Sequence, residues 1–235
     1  MHARNKKITL VINVLLLPFI ALLLVSVLIN LTGIDLKVSG KFWDEQKNWY
    51  LSNHPLFVFL YKFGPLPIFF LAGGALLLIL FKYIKKGYSF QRRACLLIIL
   101  SLLLGPGLVV NAIFKENFGR PRPRNTVEFG GNEQFVPLLV YNGSGSGKSF
   151  PSGHASMGFL WLAFAPWAIS LRKKKLFIVL ICLGLIHGGL MGFGRIVQGG
   201  HFFGDVLWSA GMDYLIGCLL LYPLFGKELL VQSRR

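Results

Sequence analysis

Apolar residues run through this chain in long, nearly uncharged stretches at residues 8–31, 56–81, 94–114, 154–171, 176–194 and 203–225. Crossing a bilayer core takes roughly 20 mostly apolar residues in a helix. The pattern therefore predicts an all-α, polytopic membrane protein with six transmembrane helices, residues 1–235 forming one domain. The period-two alternation of a membrane β-barrel is absent. Gly64-Pro65-Leu66-Pro67 predicts a break in the second helix, with 56–63 as a short interfacial piece, and Gly105-Pro106-Gly107 predicts a kink in the third. Phe42, Trp43, Trp49 and Tyr50 in the first connecting segment predict a short amphipathic stretch lying in the membrane interface. The first apolar run spans 24 residues. That exceeds the roughly 7–15 of a signal-peptide core, so it reads as a retained anchor.

Charge changes the picture by its placement. The formal net charge is +16, which by itself would suit a nucleic-acid binder. Fifteen of the 25 cations, however, lie before helix 1 (Arg4, Lys6, Lys7), between helices 2 and 3 (Lys82, Lys85, Lys86, Arg92, Arg93), between helices 4 and 5 (Arg172 to Lys175) and after helix 6 (Lys227, Arg234, Arg235). With six crossings all of these share one side. Short loops rich in Lys and Arg stay cytoplasmic, so both termini are expected there. The charge then records topology and affinity for anionic lipid, with no nucleic-acid partner. Cys95, Cys182 and Cys218 all fall in expected helices and read as buried free thiols. Their odd number and spacing suit neither a disulfide framework nor a zinc site.

Three polar clusters stand out against this background. They are Lys115 to Pro123, Pro151-Ser152-Gly153-His154, and Arg195 to Asp205. Topology alone brings all three to the outer face, where most of the remaining cations belong to them. The linking stretch, about 116–152, is rich in Gly, Pro and Asn. It exceeds the roughly 12–15 residues beyond which a loop is usually functional or disordered, and reads as a periplasmic active-site loop. Its Gly143-x3-Gly147-Lys148-Ser149 is one residue short of a nucleotide P-loop and follows no strand, so that reading is rejected.

These residue types suit work on a phosphate group. Lys115, Arg122 and Arg195 supply fixed cations, arginine offering bidentate hydrogen bonds. Ser152 and Gly153 open helix 4, where free N–H groups and the helix dipole favour an anion. His201 and Asp205 are four apart, so the carboxylate is expected to fix the imidazole as an oriented nucleophile. His154 is expected to serve as the acid for the leaving alcohol. Arg120, Arg124 and Lys148 are candidate contacts to the rest of a headgroup. Asp213 and His187 read as members of buried polar networks rather than of the site.

Lys115-x6-Arg122-Pro123, Pro151-Ser-Gly-His154 and Arg195-x5-His201-x3-Asp205 resemble the three-part signature of the type-2 phosphatidic acid phosphatase (PAP2) superfamily. The third motif usually begins Ser-Arg, where this chain has Gly194-Arg195. Pairing Lys115 with Arg120-Pro121 leaves a spacer of four, so Arg122 is preferred. The resemblance implies a PAP2-like helical bundle and hydrolysis of a lipid phosphate without metal or cofactor. It also implies attack by His201 to give a phosphohistidine, protonation by His154, and a phosphoryl group held by Lys115, Arg122, Ser152, Gly153, His154 and Arg195. The wording around Gly105–Asn111, Gly119–Pro123, Ser152–Phe159 and Gly194–Phe203 is similar to the bacterial lipid A phosphatases, most of all to the 4′-phosphatase type. That implies a multi-pass inner-membrane location and a lipid A or phospholipid substrate. Phosphatases of undecaprenyl pyrophosphate, phosphatidylglycerol phosphate or lipid A 1-phosphate, a lipid phosphotransferase, and a non-enzymatic anionic-lipid binding or transport protein stay open.

Overall fold

In the computed structural model, residues 12–80, 89–143, 145 and 147–232 are described, with 12, 89 and 227–232 as backbone alone. The basic residues Arg4 to Lys7, Lys82 to Lys86 and Lys227 to Arg235 used in the topology argument lie outside these or outside their side chains. The described residues fold as helices joined by ordered turns, with no β-sheet among them.

Helix α1 (Leu17–Thr32) is entered through a π-turn at Ile12–Leu16. It ends at Gly33, whose φ of 63° lies in the left-handed region that glycine adopts without steric cost. The chain continues as α2 (Ile34–Gly40). Next come α3 (Pro55–Phe63) and α4 (Leu66–Leu80), divided at Gly64-Pro65 as the sequence predicts. Helix α5 (Ser89–Leu102) widens into π-helix over Leu103–Lys115. Pro106 lies within that stretch, and the Asn111 amide donates to the Pro106 carbonyl at 2.6 Å. The expected kink is thus a local change of helix pitch, a device common at functional sites.

The fourth expected helix differs from its prediction. It is broken into α6 (Gly153–Phe159), a 3₁₀ segment (Leu160–Phe164) and α7 (Ala165–Ser170). Among the described residues, five helical stretches are long and apolar enough to cross a membrane: Asn13–Thr32, Pro55–Leu80, Phe90–Lys115, Lys174–Val197 and Phe203–Gly226. The broken segment is not one of them. Its apolar residues are mostly buried among α5, α8 (Lys174–Val197) and α9 (Phe203–Gln232). A buried core segment and a lipid-facing span carry the same apolar run, and here the run is interrupted by the 3₁₀ segment, with Pro166 in the first turn of the helix that follows, where proline is tolerated. Close backbone approach holds it in place. A Cβ on Gly158 would lie 2.7 Å from the Gly188 Cα, and one on Gly217 would lie 2.0 Å from the Ala163 carbonyl. Small residues at such contacts let helices pack closely in a membrane.

The bundle's outside is apolar, with Leu31, Phe70, Leu80, Ile186, Leu219 and Tyr222 all exposed. A bilayer solvates such a surface at no cost. Cys95 is buried and Cys218 partly so, whereas Cys182 is exposed on this apolar surface, contrary to expectation. Apolar sequence alone does not say which face of a helix meets lipid.

Candidate active site

The end of α5, the start of α6, the end of α8 and the loop before α9 meet at one end of the bundle. They enclose a pocket of about 560 Å³ lined by Ser52, Asn53, Tyr61, Lys115, Arg122, Arg124, His154, Arg195, Gln198 and His201. Four fixed cations and two imidazoles face it, and no carboxylate is among the lining residues. Such a cavity is built for an anion.

His201 is buried in the loop that precedes α9, its Nδ1 at 2.6 Å from the Ser149 carbonyl oxygen. A carbonyl can only accept, so Nδ1 carries the proton and Nε2 keeps its lone pair. Burial first, then the positive charge of Arg195 and Lys115, holds this imidazole well below the usual histidine range. It is therefore neutral at neutral pH, the form a nucleophile needs.

The expected direct partner, Asp205, is at 3.9 Å from Nδ1. Its Oδ2 accepts instead from the Ser149 hydroxyl at 2.6 Å and the Phe202 N–H at 2.8 Å. The four-residue spacing places two side chains on one face only inside a helix, and α9 starts at Phe203, after His201. Ser149 therefore bridges the two: its hydroxyl donates to Asp205 while its carbonyl fixes His201.

Arg120, read from sequence as a headgroup contact, is fully buried. Its Nη1 donates to Asp205 at 2.5 Å, its Nη2 to Asp35 at 2.7 Å and its Nε to the Val136 carbonyl at 2.9 Å. Burial works against its charge, but Asp205 and Asp35 outweigh that and hold the proton more firmly than usual. Asp35 also accepts from the Gly204 N–H at 2.7 Å, so it anchors the first turn of α9 as well. Lys148 likewise lies away from the pocket, ion-paired at the surface with Glu116. Arg124 does line the pocket.

The phosphate-holding candidates divide. Lys115, Arg122, Arg195 and His154 border the cavity, and Ser152 and Gly153 do not. Ser152 caps α6, its hydroxyl accepting from Ala155 N–H at 3.4 Å, and its own N–H donates to the Ser209 hydroxyl at 3.0 Å. A Cβ on Gly153 would come within 2.5 Å of Asn111 Oδ1, so glycine serves a helix contact there. Asn111 in turn accepts from Lys115 Nζ at 3.3 Å. Arg195 Nη1 donates to Gln198 at 2.6 Å, while its buried Nε has no protein partner among the described residues. Asp213 accepts from Ser156 at 3.0 Å deeper along α9. His187 accepts from Trp161 Nε1 at 3.0 Å and donates to the Gly64 carbonyl at 2.8 Å. Both make polar contacts apart from the pocket, buried at Asp213 and half-buried at His187.

Sequence reasoning missed Ser149, Asp35, Asn111, Gln198 and Tyr61. Asp35 looked like one charge among several in a polar segment, and Ser149 acts partly through its backbone. Asn111 carried a usable signal, one helical turn before Lys115.

Comparison with known proteins identifies the family of the chain. The PAP2 superfamily model matches residues 93–227. A lipid A 4′-phosphatase of Francisella tularensis subsp. novicida is 36% identical over 199 residues, 83% of this chain and 88% of the relative. Lipid A 4′-phosphatases of Rhizobium etli and Rhizobium leguminosarum are 37% and 35% identical over 131 residues, 52% of this chain and 47% and 52% of theirs. No solved structure matches. The chain belongs to the PAP2 superfamily. Fold, site and family together define a membrane lipid phosphatase.

Proposed function

We propose that this enzyme removes the 4′-phosphate of lipid A at the outer face of the bacterial inner membrane. The observation that carries the reading is the pocket itself, where two imidazoles and four cations converge with no carboxylate among its lining residues. The relatives named above supply the substrate.

Lys115, Arg122 and Arg195 hold the phosphoryl oxygens, with the unpartnered Arg195 Nε as one donor. His201 Nε2 attacks phosphorus as the bond to the lipid oxygen breaks. Asp205, Ser149 and Arg120 hold His201 in place from behind. His154 gives its proton to the departing oxygen, then takes one from the water that releases phosphate. Arg124 at the rim meets a further polar or anionic part of the headgroup. Fixed cations thus carry the charge-neutralising work, and turnover proceeds without added metal or cofactor.

The same reading takes 153–170 as a sixth, broken crossing, residues 1–235 as one domain, and both termini as cytoplasmic. In support, every pocket element lies at one end of the bundle, and Arg172 to Lys175 follow the broken segment at its other end.

Mass spectrometry of lipid A incubated with the purified enzyme is expected to show loss of one phosphate, assigned to the 4′ position by fragmentation. Activity is expected to persist in EDTA. Loss from the 1 position, or turnover only of undecaprenyl pyrophosphate or phosphatidylglycerol phosphate, would overturn the substrate. Transfer of label to a second lipid in place of free phosphate would make the enzyme a phosphotransferase. Binding or flux of lipid without hydrolysis would remove the catalytic reading altogether.

A further inference from the structure

Tyr61 lies outside the signature and the three polar clusters, yet its ring touches two central groups of the pocket. The ring stacks on the His154 imidazole with centroids 4.3 Å apart and planes 17° from parallel. The Arg195 guanidinium carbon is 4.8 Å from the same ring centroid. With 44% of its surface exposed, Tyr61 is not filling a core.

The two histidines are oriented by different means. His201 is fixed through Nδ1 by the Ser149 carbonyl. Among the described residues, no hydrogen bond reaches the His154 side chain, and the Tyr61 stack is its ring contact. An acid whose ring turns freely would present its proton to the leaving oxygen only part of the time.

The helix that carries the stacking ring is firmly placed. At the start of α3, His54 Nδ1 accepts from the Leu56 N–H at 3.3 Å, and buried Phe57 packs against Phe193 of α8 with centroids 5.8 Å apart. At its end, the Gly64 carbonyl is held by His187 at 2.8 Å. Ahead of it, Gln198 donates to the Ser52 carbonyl at 3.2 Å while accepting from Arg195. Helix α3 is thus tied to α8 along its length.

We propose that Tyr61 is the positioning residue for the acid: its ring sets the plane of the His154 imidazole so that the proton faces the leaving oxygen. The electron-rich face also accommodates a charged imidazolium and the neighbouring guanidinium. This rests on the acid role given to His154 above. In the step concerned, the P–O bond to the lipid breaks as the P–N bond to His201 forms. The His154 proton moves to the departing oxygen, leaving a neutral alcohol and a neutral imidazole.

The test compares Tyr61→Leu and Tyr61→Phe on two substrates. One is the phosphorylated lipid, whose alkoxide must be protonated. The other is 4-nitrophenyl phosphate, whose phenolate leaves without a proton. Tyr61→Leu is expected to lower kcat on the lipid by about ten-fold or more, part of the 10²–10⁴ that a general acid contributes. KM should stay within about two-fold and aryl phosphate turnover should be largely kept. Tyr61→Phe should stay within about two-fold of the parent on both, since it keeps the ring. Equal losses on both substrates, unchanged lipid turnover in Tyr61→Leu, or a Tyr61→Phe as impaired as Tyr61→Leu would each overturn the proposal. Aryl phosphate turnover reports the folded fraction in the same preparation. Should the aryl ester be a poor substrate for every form, a lipid kcat unchanged by Phe and lowered by Leu at equal thermal stability decides in favour, and any other pattern decides against. Failure of the phosphatase reading itself would look different, as turnover insensitive to His201→Ala.

Discussion

His201→Ala is expected to lower turnover of the phosphorylated lipid by at least about 10³-fold, since loss of a nucleophile that acts within a coupled site can cost as much as about 10⁶. The protein should remain folded. The ring contributes one hydrogen bond to a backbone carbonyl, and the Arg120, Asp35 and Asp205 cluster beside it is left intact. Lipid binding should therefore survive, held by Lys115, Arg122 and Arg195. Phosphate release assayed in detergent, next to a binding measurement on the same variant, checks both halves. Substantial turnover in a folded His201→Ala protein would contradict the mechanism.

Arg120→Ala is expected to act quite differently. It leaves Asp35 and Asp205 as buried carboxylates with no cation between them. Breaking a buried ion pair by removing one partner costs about 3–5 kcal/mol, and here two partners are abandoned at once. Typical stabilities are about 5–15 kcal/mol, so the variant should unfold at a much lower temperature or fail to accumulate. Arg120→Lys should rescue little, because one ammonium cannot span both carboxylates and the Val136 carbonyl as the guanidinium does. Arg124→Ala, at the pocket rim, should leave thermal unfolding unchanged. Melting in detergent, followed by size-exclusion, separates these outcomes. An Arg120→Ala protein of parental stability with weakened lipid affinity would restore the headgroup role.

The contrast between Arg120 and Arg124 shows where sequence is informative and where it stops. Four residues apart in one basic stretch, they read alike as cations beside a phosphate site. One turns inward to a carboxylate 85 positions earlier in the chain, a pairing that only the fold creates. His154, His201, Lys115, Arg122 and Arg195 were legible because topology brings the ends of separate helices to one level whatever the details of packing. The break at Gly64-Pro65 was legible because proline acts locally on its own backbone. The fourth segment was less so, since burial among helices and exposure to lipid demand the same apolar residues. The orientation of His201 was hidden for another reason. It depends on the backbone carbonyl of Ser149, a group that every residue offers, so no side chain marks it in the sequence.

The central claim is that phosphate passes through a covalent bond to His201, and direct detection of that bond tests it most closely. Enzyme mixed with labelled lipid and quenched in base should yield a peptide spanning Arg195 to Asp205 with one phosphoryl group on His201. The label should appear before free phosphate and vanish on chase. Label on another residue, or steady phosphate release with no labelled peptide at any time, would contradict the account.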